Sequence, residues 1–162
     1  MTEIIAAILT LSDKGSRGER TDESGKLLRN TLQANGISVA EYEVIPDEKE
    51  ILAERLIKLS ERVDLIITNG GTGLSPRDIT PDVTIEVIER EIPGIAEAMR
   101  TAGMQKTPRA MLSRAVAGVR GECLIVNLPG SPKAVQEGID TIIDVIPHAI
   151  EKIKGSGEDC AR

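Results

Sequence analysis

Aromatic side chains are nearly absent: the 162-residue sequence has no Phe, no Trp and a single tyrosine, Tyr42. The platforms on which single-strand nucleic-acid binders stack bases are therefore missing. Any flat ligand must be held by backbone, aliphatic and polar groups. Histidine is equally scarce. His148, the only one, stands beside Pro147 in a late helical stretch and reads as a packing or surface residue. The two cysteines, Cys123 and Cys160, supply neither a disulfide framework nor a zinc pattern. Cys123 lies in an apolar run and reads as a small buried hydrophobe, whereas Cys160 reads as a free thiol in a polar tail. No apolar run approaches the roughly 20 residues of a membrane-spanning helix. The start MTEIIAAILTLSDKG has an acid near its front and no basic leader, so no secretory signal is expected and the cytoplasm is the expected location. A net charge of −6 argues against nucleic acid as a partner, because phosphate backbones are met by basic patches.

What remains is the composition of an ordinary globular domain, 40% hydrophobic and 28% charged, at a length suited to one core. Strand and helix signals alternate, which predicts an α/β layered domain. The run Ile4 to Leu11 predicts a buried strand. A helix is expected from near Asp22 to Gly36, with Leu27, Leu28 and Leu32 on one face. Ile37 to Ile45 predicts a second strand, ended by Pro46. The next helix, Asp47 to about Arg62, carries Leu52, Leu56 and Leu59 at helical spacing. Val63 to Thr68 predicts a third strand. Thr80 then reads as the cap of a helix with Pro81 at its first position, and Ile95 to Met104 as a further helix. Ala115 to Val119 and Cys123 to Leu128 predict two more strands around a turn at Gly121. Ser131 caps a long final helix bearing Ile139, Ile142, Ile146, Ile150 and Ile153, which Pro147 should kink or split. Residues 1–154 are expected to form one domain and 155–162 a frayed tail.

Three polar loops leave the carboxyl ends of predicted strands, the edge at which open α/β sheets bind ligands. The central one is TNGGTGLSPRDITPDVT, from Thr68 to Thr84. Gly70, Gly71 and Gly73 allow positive φ and close approach of a ligand to the backbone, and their amides are suited to an anion-binding nest. The helix that follows aims its positive end at the same place. Arg77 offers a donor fork for phosphate, and Asp78 and Asp82 are suited to Mg²⁺ with substrate phosphates. A tight turn with capping residues explains the same composition. The loop is neither a Walker A motif nor a dinucleotide fingerprint. The second loop, Asn127 to Ala134, holds Pro129, Gly130, Ser131 and Pro132, with Lys133 within reach of a phosphate. It is equally compatible with a capped helix start. In the third, Leu11 to Gly25, Ser12, Asp13, Ser16 and Arg17 are compatible with a ligand or with plain solvation. Asp47, in VIPDE, fits either a site carboxylate or a helix cap.

Taken together, TNGGTGLSPRDITPDVT, LSRAVAGVRGECLIVNLPGSPKAV and SDKGSRGERTDESG resemble, in order and over nearly the whole chain, the signature blocks of the MogA/MoaB family of molybdenum-cofactor biosynthesis proteins. The resemblance implies a three-layer α/β sandwich with a central, mostly parallel sheet. It implies Mg²⁺-dependent adenylylation of molybdopterin by ATP with release of pyrophosphate. It implies a homotrimer, with hexamers in some members, and a MoeA-type metal-insertion protein as partner. Carried over residue by residue, it implies Asp47 and Asp78 as catalytic acids and Mg²⁺ ligands. It implies Gly70, Gly71, Thr72, Gly73, Ser113, Pro129, Gly130 and Ser131 in the nucleotide loops, and Ser12 and Asp13 in the first loop. A molybdopterin-binding protein without turnover and a CinA-like nucleotide-processing enzyme are the alternatives on the same fold.

Overall fold

The computed structural model describes residues 2–155. Residues 156–162 of the expected tail, Cys160 among them, lie outside the described residues. The chain alternates as expected: β1 (Ile4–Leu11), α1 (Asp13–Ser16), α2 (Glu23–Ala34), β2 (Ile37–Ile45), α3 (Lys49–Ser60) and β3 (Leu65–Asn69), then α4 (Thr80–Val87), β4 (Arg90–Glu91) and α5 (Pro93–Met104). A 3-10 turn at Pro108–Leu112 leads to β5 (Ala117–Arg120), β6 (Cys123–Leu128), α6 (Pro132–Ile142) and α7 (Ile146–Ile153).

One six-stranded sheet has the order β2-β1-β3-β6-β5-β4. Pairings among β2, β1, β3 and β6 are parallel, and β5 and β4 are antiparallel additions at one edge. The central strands are apolar on both faces, as strands covered by helices on both sides must be. Period-two alternation sorts their side chains. Ala6 and Ile8 of β1, Leu65 and Ile67 of β3, and Leu124 and Val126 of β6 join Leu28, Leu32, Val135, Ile139, Ile146 and Ile150 in one core. Ala7 and Leu9, Ile66, and Cys123 and Ile125 join Leu52, Leu56, Leu59, Val83 and Val87 in the other. Helices α2, α5, α6 and α7 thus cover one face and α3 and α4 the other, which is the three-layer sandwich the family resemblance implied.

Several boundaries differ from the sequence reading. The third strand is Leu65–Asn69, and the fifth begins at Ala117. The short elements α1 and β4 and the 3-10 turn carry too few residues for a periodic signal. Pro147 splits the final helix into two, because it has no N–H to continue α6, and it sits instead in the first turn of α7. Helix α4 is preceded by Ile79 with no side-chain cap, so Thr80 is not the cap. Its buried hydroxyl instead donates to the Gly70 carbonyl at 2.9 Å. Helix α3 starts after Glu48, again without a side-chain cap, so Asp47 is not a capping residue. By contrast, Asp22 and Ser131 do cap their helices, accepting from the Gly25 and Ala134 amides.

Candidate active site

Parallel pairing brings the carboxyl ends of β1, β3 and β6 to one edge, and the loops that leave them enclose a cavity of about 820 Å³. Ser12 and Asp13 come from the first loop, Gly70, Gly71 and Asp78 from the second, Gly130 and Ser131 from the third, and Asp47 from the end of β2. Eight of the twelve residues expected at the site therefore meet at one place.

The glycine loop is held open to the cavity by its backbone. Gly70 and Gly71 have φ of +95° and +69°, a region that side chains other than glycine's rarely tolerate. A Cβ on Gly70 would stand 2.5 Å from the Leu11 carbonyl oxygen, and one on Gly71 would stand 2.4 Å from Thr80 Oγ1 and 3.1 Å from Asp47 Oδ1. A Cβ on Gly130 would lie 3.4 Å from the Gly70 Cα, so the second and third loops touch backbone to backbone. Ser24 Oγ ties α2 to this junction by donating to the Gly130 carbonyl at 2.6 Å. Arg114 staples the outer half of the glycine loop. Its Nε donates to the Gly73 carbonyl at 2.9 Å and its Nη2 to the Asp78 carbonyl at 2.6 Å. Its guanidinium also pairs with Asp82 at 3.0 Å.

The carboxylates are arranged in a linked group. The Asp13 amide donates to Asp47 Oδ2 at 3.2 Å, and the Asp47 amide donates to Asp13 Oδ1 at 3.0 Å. Arg77 forks onto Asp13 at 2.7 and 2.9 Å and reaches Glu48 at 2.9 Å. The Arg77 hydrogen bond holds the Asp13 carboxyl below the usual carboxylate range. Asp47 shifts the other way: burial pushes its carboxyl up, and the charges of Asp13 and Asp78 push it further. Asp78 Oδ2 accepts from the Ser75 amide at 3.0 Å, which orients it within its loop. Among the described residues no three His, Cys, Asp or Glu side chains form a ready-made metal centre.

The remaining expected residues fall elsewhere. Thr72 is buried within the loop, its carbonyl accepting from the Arg114 amide at 2.9 Å, and Gly73 packs against Asp78. Ser113 and Pro129 line a separate, smaller cavity of about 240 Å³ between α5 and α6. Arg77 is committed to Asp13 and Glu48 rather than free for phosphate, and Asp82 is committed to Arg114 rather than free for a metal. Arg17 pairs with Glu19. Lys133 is exposed and outside the cavity lining.

Sequence reasoning missed the floor of the site. Asn69 Nδ2 donates to Thr10 Oγ1 at 2.9 Å, and Thr10 Oγ1 donates to Asp22 Oδ2 at 2.6 Å. The Tyr42 hydroxyl donates to the same carboxylate oxygen. Burial and the Asp22 hydrogen bond keep that phenol protonated. Polar residues at the ends of two apolar strands were the available signal. Cys123 is buried, and burial pushes its thiol up to about 12, the state of an inert core residue.

Glycine loops and acids gathered at the carboxyl edge of a mostly parallel sheet make a ligand site of the kind that open α/β domains carry. Residues 7–148 match the family described as "Probable molybdopterin binding domain". The chain belongs to the MogA/MoaB family of molybdenum-cofactor biosynthesis proteins. It is 38% identical to the molybdopterin adenylyltransferase of Helicobacter pylori over 96% of this chain and 91% of that protein. It is 36% identical to the molybdopterin adenylyltransferase of Escherichia coli K12, over 93% and 81%. Among solved structures it superposes on the molybdopterin biosynthesis enzyme MoaB of Thermus thermophilus with a TM-score of 0.89 at 50% identity, over 94% of this chain and 98% of that one. A CinA protein of Thermoplasma acidophilum, at 18% identity and a TM-score of 0.69, shares the fold alone. No helix among the described residues is long and apolar enough to cross a membrane.

Proposed function

We propose that this chain is a molybdopterin adenylyltransferase that joins AMP from ATP to the phosphate of molybdopterin. The observation that carries the reading is the meeting of Asp47 and Asp78 with the Gly70–Gly71 turn and the start of α6 around one cavity. A cavity of about 820 Å³ is of the size that holds a cofactor-sized ligand. The names of the relatives above agree with it.

In the reaction a phosphate oxygen of molybdopterin attacks the α-phosphorus of ATP. The new O–P bond forms as the bond to the β-phosphate oxygen breaks, and its electron pair leaves with pyrophosphate. The nucleophile is already an anion, so the chain needs no general base, and positioning carries the rate. The Gly70 and Gly71 backbone lets the nucleotide phosphates approach closely, and the positive end of α6 faces the same space. Ser24, Arg114 and Thr80 fix the loops that do this.

The residues present fit Mg²⁺. The donors are carboxylate oxygens, and Asp47 is crowded by the charges of Asp13 and Asp78 with Arg77 opposing, an excess that a hard cation meets. Asp47 and Asp78 would hold it, with substrate phosphates completing its shell. Bound there, the ion supplies neutralisation of charge on the two anionic substrates and on the departing group. Asp13, tied to Arg77, orients Asp47 through the paired amide bonds.

The same reading carries a homotrimer that works in the cytoplasm and passes its product to a MoeA-type metal-insertion protein. Exposed Leu74, Met104, Met111 and Leu112 support self-association. Light scattering should give about three times the 17.4 kDa of one chain.

The test is pyrophosphate release by the purified chain with ATP, Mg²⁺ and molybdopterin. Release that requires molybdopterin, together with adenylylated product, is the expected result. Binding of both ligands without product would leave a carrier protein in its place, and release without molybdopterin would indicate nucleotide hydrolysis.

A further inference from the structure

An anion that enters the cavity meets a lining mostly of its own sign. Asp13, Asp22, Glu23, Asp47 and Asp78 all face it. Among the described residues two cationic side chains do so: Lys14 on α1 and Arg20 in the loop before α2. The neighbouring arginines are occupied, Arg77 by Asp13 and Glu48, Arg17 by Glu19 and Arg114 by Asp82. Among the described residues neither Lys14 nor Arg20 forms an ion pair.

The loop that carries them is folded so that the two start from neighbouring points. The Glu19 amide donates to the Lys14 carbonyl at 2.9 Å and the Gly18 amide to the Gly15 carbonyl at 3.0 Å. Gly18 makes that return with φ +74°, and a side chain there would be strained. One loop thus supplies the cavity with both a point charge and a planar donor fork, a pair suited to a polyanion with several oxygens.

We infer that Lys14 and Arg20 form a clamp for the terminal phosphates of the nucleotide, the part that departs as pyrophosphate. The inference rests on the adenylyl-transfer reading. Its geometric basis is the charge of the lining and the exposure of its two cations. Lys14 and Arg20 are exposed, on stems long enough to follow a ligand. Charge accumulates on pyrophosphate as the Pα–O bond breaks, and pyrophosphate must leave toward solvent. Exposed cations on flexible stems meet the growing charge where it faces solvent. The phosphate of molybdopterin offers the same chemistry with fewer charged oxygens, and the binding experiment separates the two.

The experiment uses the full chain with Lys14→Gln and Arg20→Gln combined. A matched control combines Lys26→Gln and Lys106→Gln, exposed positions outside the cavity. ATP, AMP, pyrophosphate and molybdopterin are each titrated at two salt concentrations. ATP and pyrophosphate affinity should fall roughly tenfold or more in the clamp variant, with a weaker salt dependence than wild type. AMP and molybdopterin affinity should not change, the melting temperature should hold, and the control should match wild type. An equal loss for ATP and AMP, a loss for molybdopterin in place of pyrophosphate, or no loss at all would overturn the clamp. A wild-type chain that binds pyrophosphate through these residues but makes no adenylylated product would keep the clamp and overturn the adenylyl-transfer reading instead.

Discussion

Asp13 and Asp47 hold each other's backbone: each carboxylate accepts the other's amide, at 3.0 and 3.2 Å, across 34 residues of sequence. The bond pair extends the β1–β2 ladder, in which Leu11 faces Ile45 and the Ser12 amide donates to the Ile45 carbonyl at 2.9 Å. Two like charges are thereby forced together at a ligand cavity, and Arg77 offsets only the outer one directly. Crowded charges of this kind are characteristic of functional sites, where a ligand can complete the charge balance.

Asp47→Asn is the direct test of that view. The asparagine side-chain oxygen can still accept the Asp13 amide, while the charge that repels Asp13 and Asp78 is gone. Since Asp47 caps no helix, no cap is lost. We expect the melting temperature to stay within about a degree or two of wild type, or to rise. We expect turnover to fall roughly a hundredfold or more, as loss of a metal carboxylate does. Wild-type turnover in a normally folded mutant would remove Asp47 from the mechanism.

Arg114→Lys should separate shape from charge. The guanidinium serves the Gly73 and Asp78 carbonyls and the Asp82 carboxylate at once, and an ammonium on a flexible stem cannot fork in the same way. Lysine keeps the attraction to Asp82 but frees the loop that carries Asp78. We expect kcat/KM to drop about tenfold, since a misplaced group is costly to a reaction that depends on positioning. An Arg114→Gln variant should lose more. Equal, near-normal kinetics in both would show that the staple is not needed for catalysis.

What the sequence made legible follows from what is periodic or chemically unusual. Leu52, Leu56 and Leu59 at helical spacing, and the unbroken apolar runs of β1 and β6, identify elements because burial leaves a pattern in a single segment. Gly70 and Gly71 were legible because positive φ leaves a composition. The Arg114 staple, the Asn69–Thr10–Asp22–Tyr42 chain and the Asp13–Asp47 exchange depend on strand order and register, which no one segment encodes. The same reason explains Arg77 and Asp82. Each has the side chain expected at a phosphate or metal site, but a partner far away in sequence consumes it. Ser113 and Pro129 stand close to motif residues in sequence, yet they face the cleft between α5 and α6.

Asp82 should leave a measurable mark on acid stability. Its hydrogen bond from Arg114 holds the carboxyl below its ordinary value of 3.8. A carboxyl depressed in the folded state adds stability above its unfolded pKa, and that stability is lost as pH falls through the folded one. The side chain is 48% exposed, so solvent screening limits the gain to about 1 kcal/mol or less. Asp82→Asn should therefore melt lower than wild type near neutral pH, by about 2–4 °C at most. The gap should close as pH falls below 3.8 and through the depressed folded-state pKa. A gap that stays constant down to pH 2 would mean that the contact contributes through shape and not through charge.

Gly71→Ala tests the backbone of the site. Two costs apply to it. The first is conformational: φ of +69° places a Cβ in the left-handed region at about 1–2 kcal/mol. The second is steric, because the Cβ would stand 2.4 Å from Thr80 Oγ1, which is engaged with the Gly70 carbonyl, and 3.1 Å from Asp47 Oδ1. Gly36→Ala isolates the first cost, since Gly36 has φ of +76° and open space where the methyl would go. We expect Gly36→Ala to lose about 1–2 kcal/mol of stability with unchanged ATP affinity. Gly71→Ala should lose about 2–4 kcal/mol, because overlap adds to strain. It should also weaken ATP binding more than molybdopterin binding, because the loop that admits the nucleotide phosphates must shift to make room. Denaturant melts and separate titrations of the two ligands measure both quantities. If Gly71→Ala behaves like Gly36→Ala in both, the close packing of Gly71 against Thr80 and Asp47 does not shape the nucleotide site.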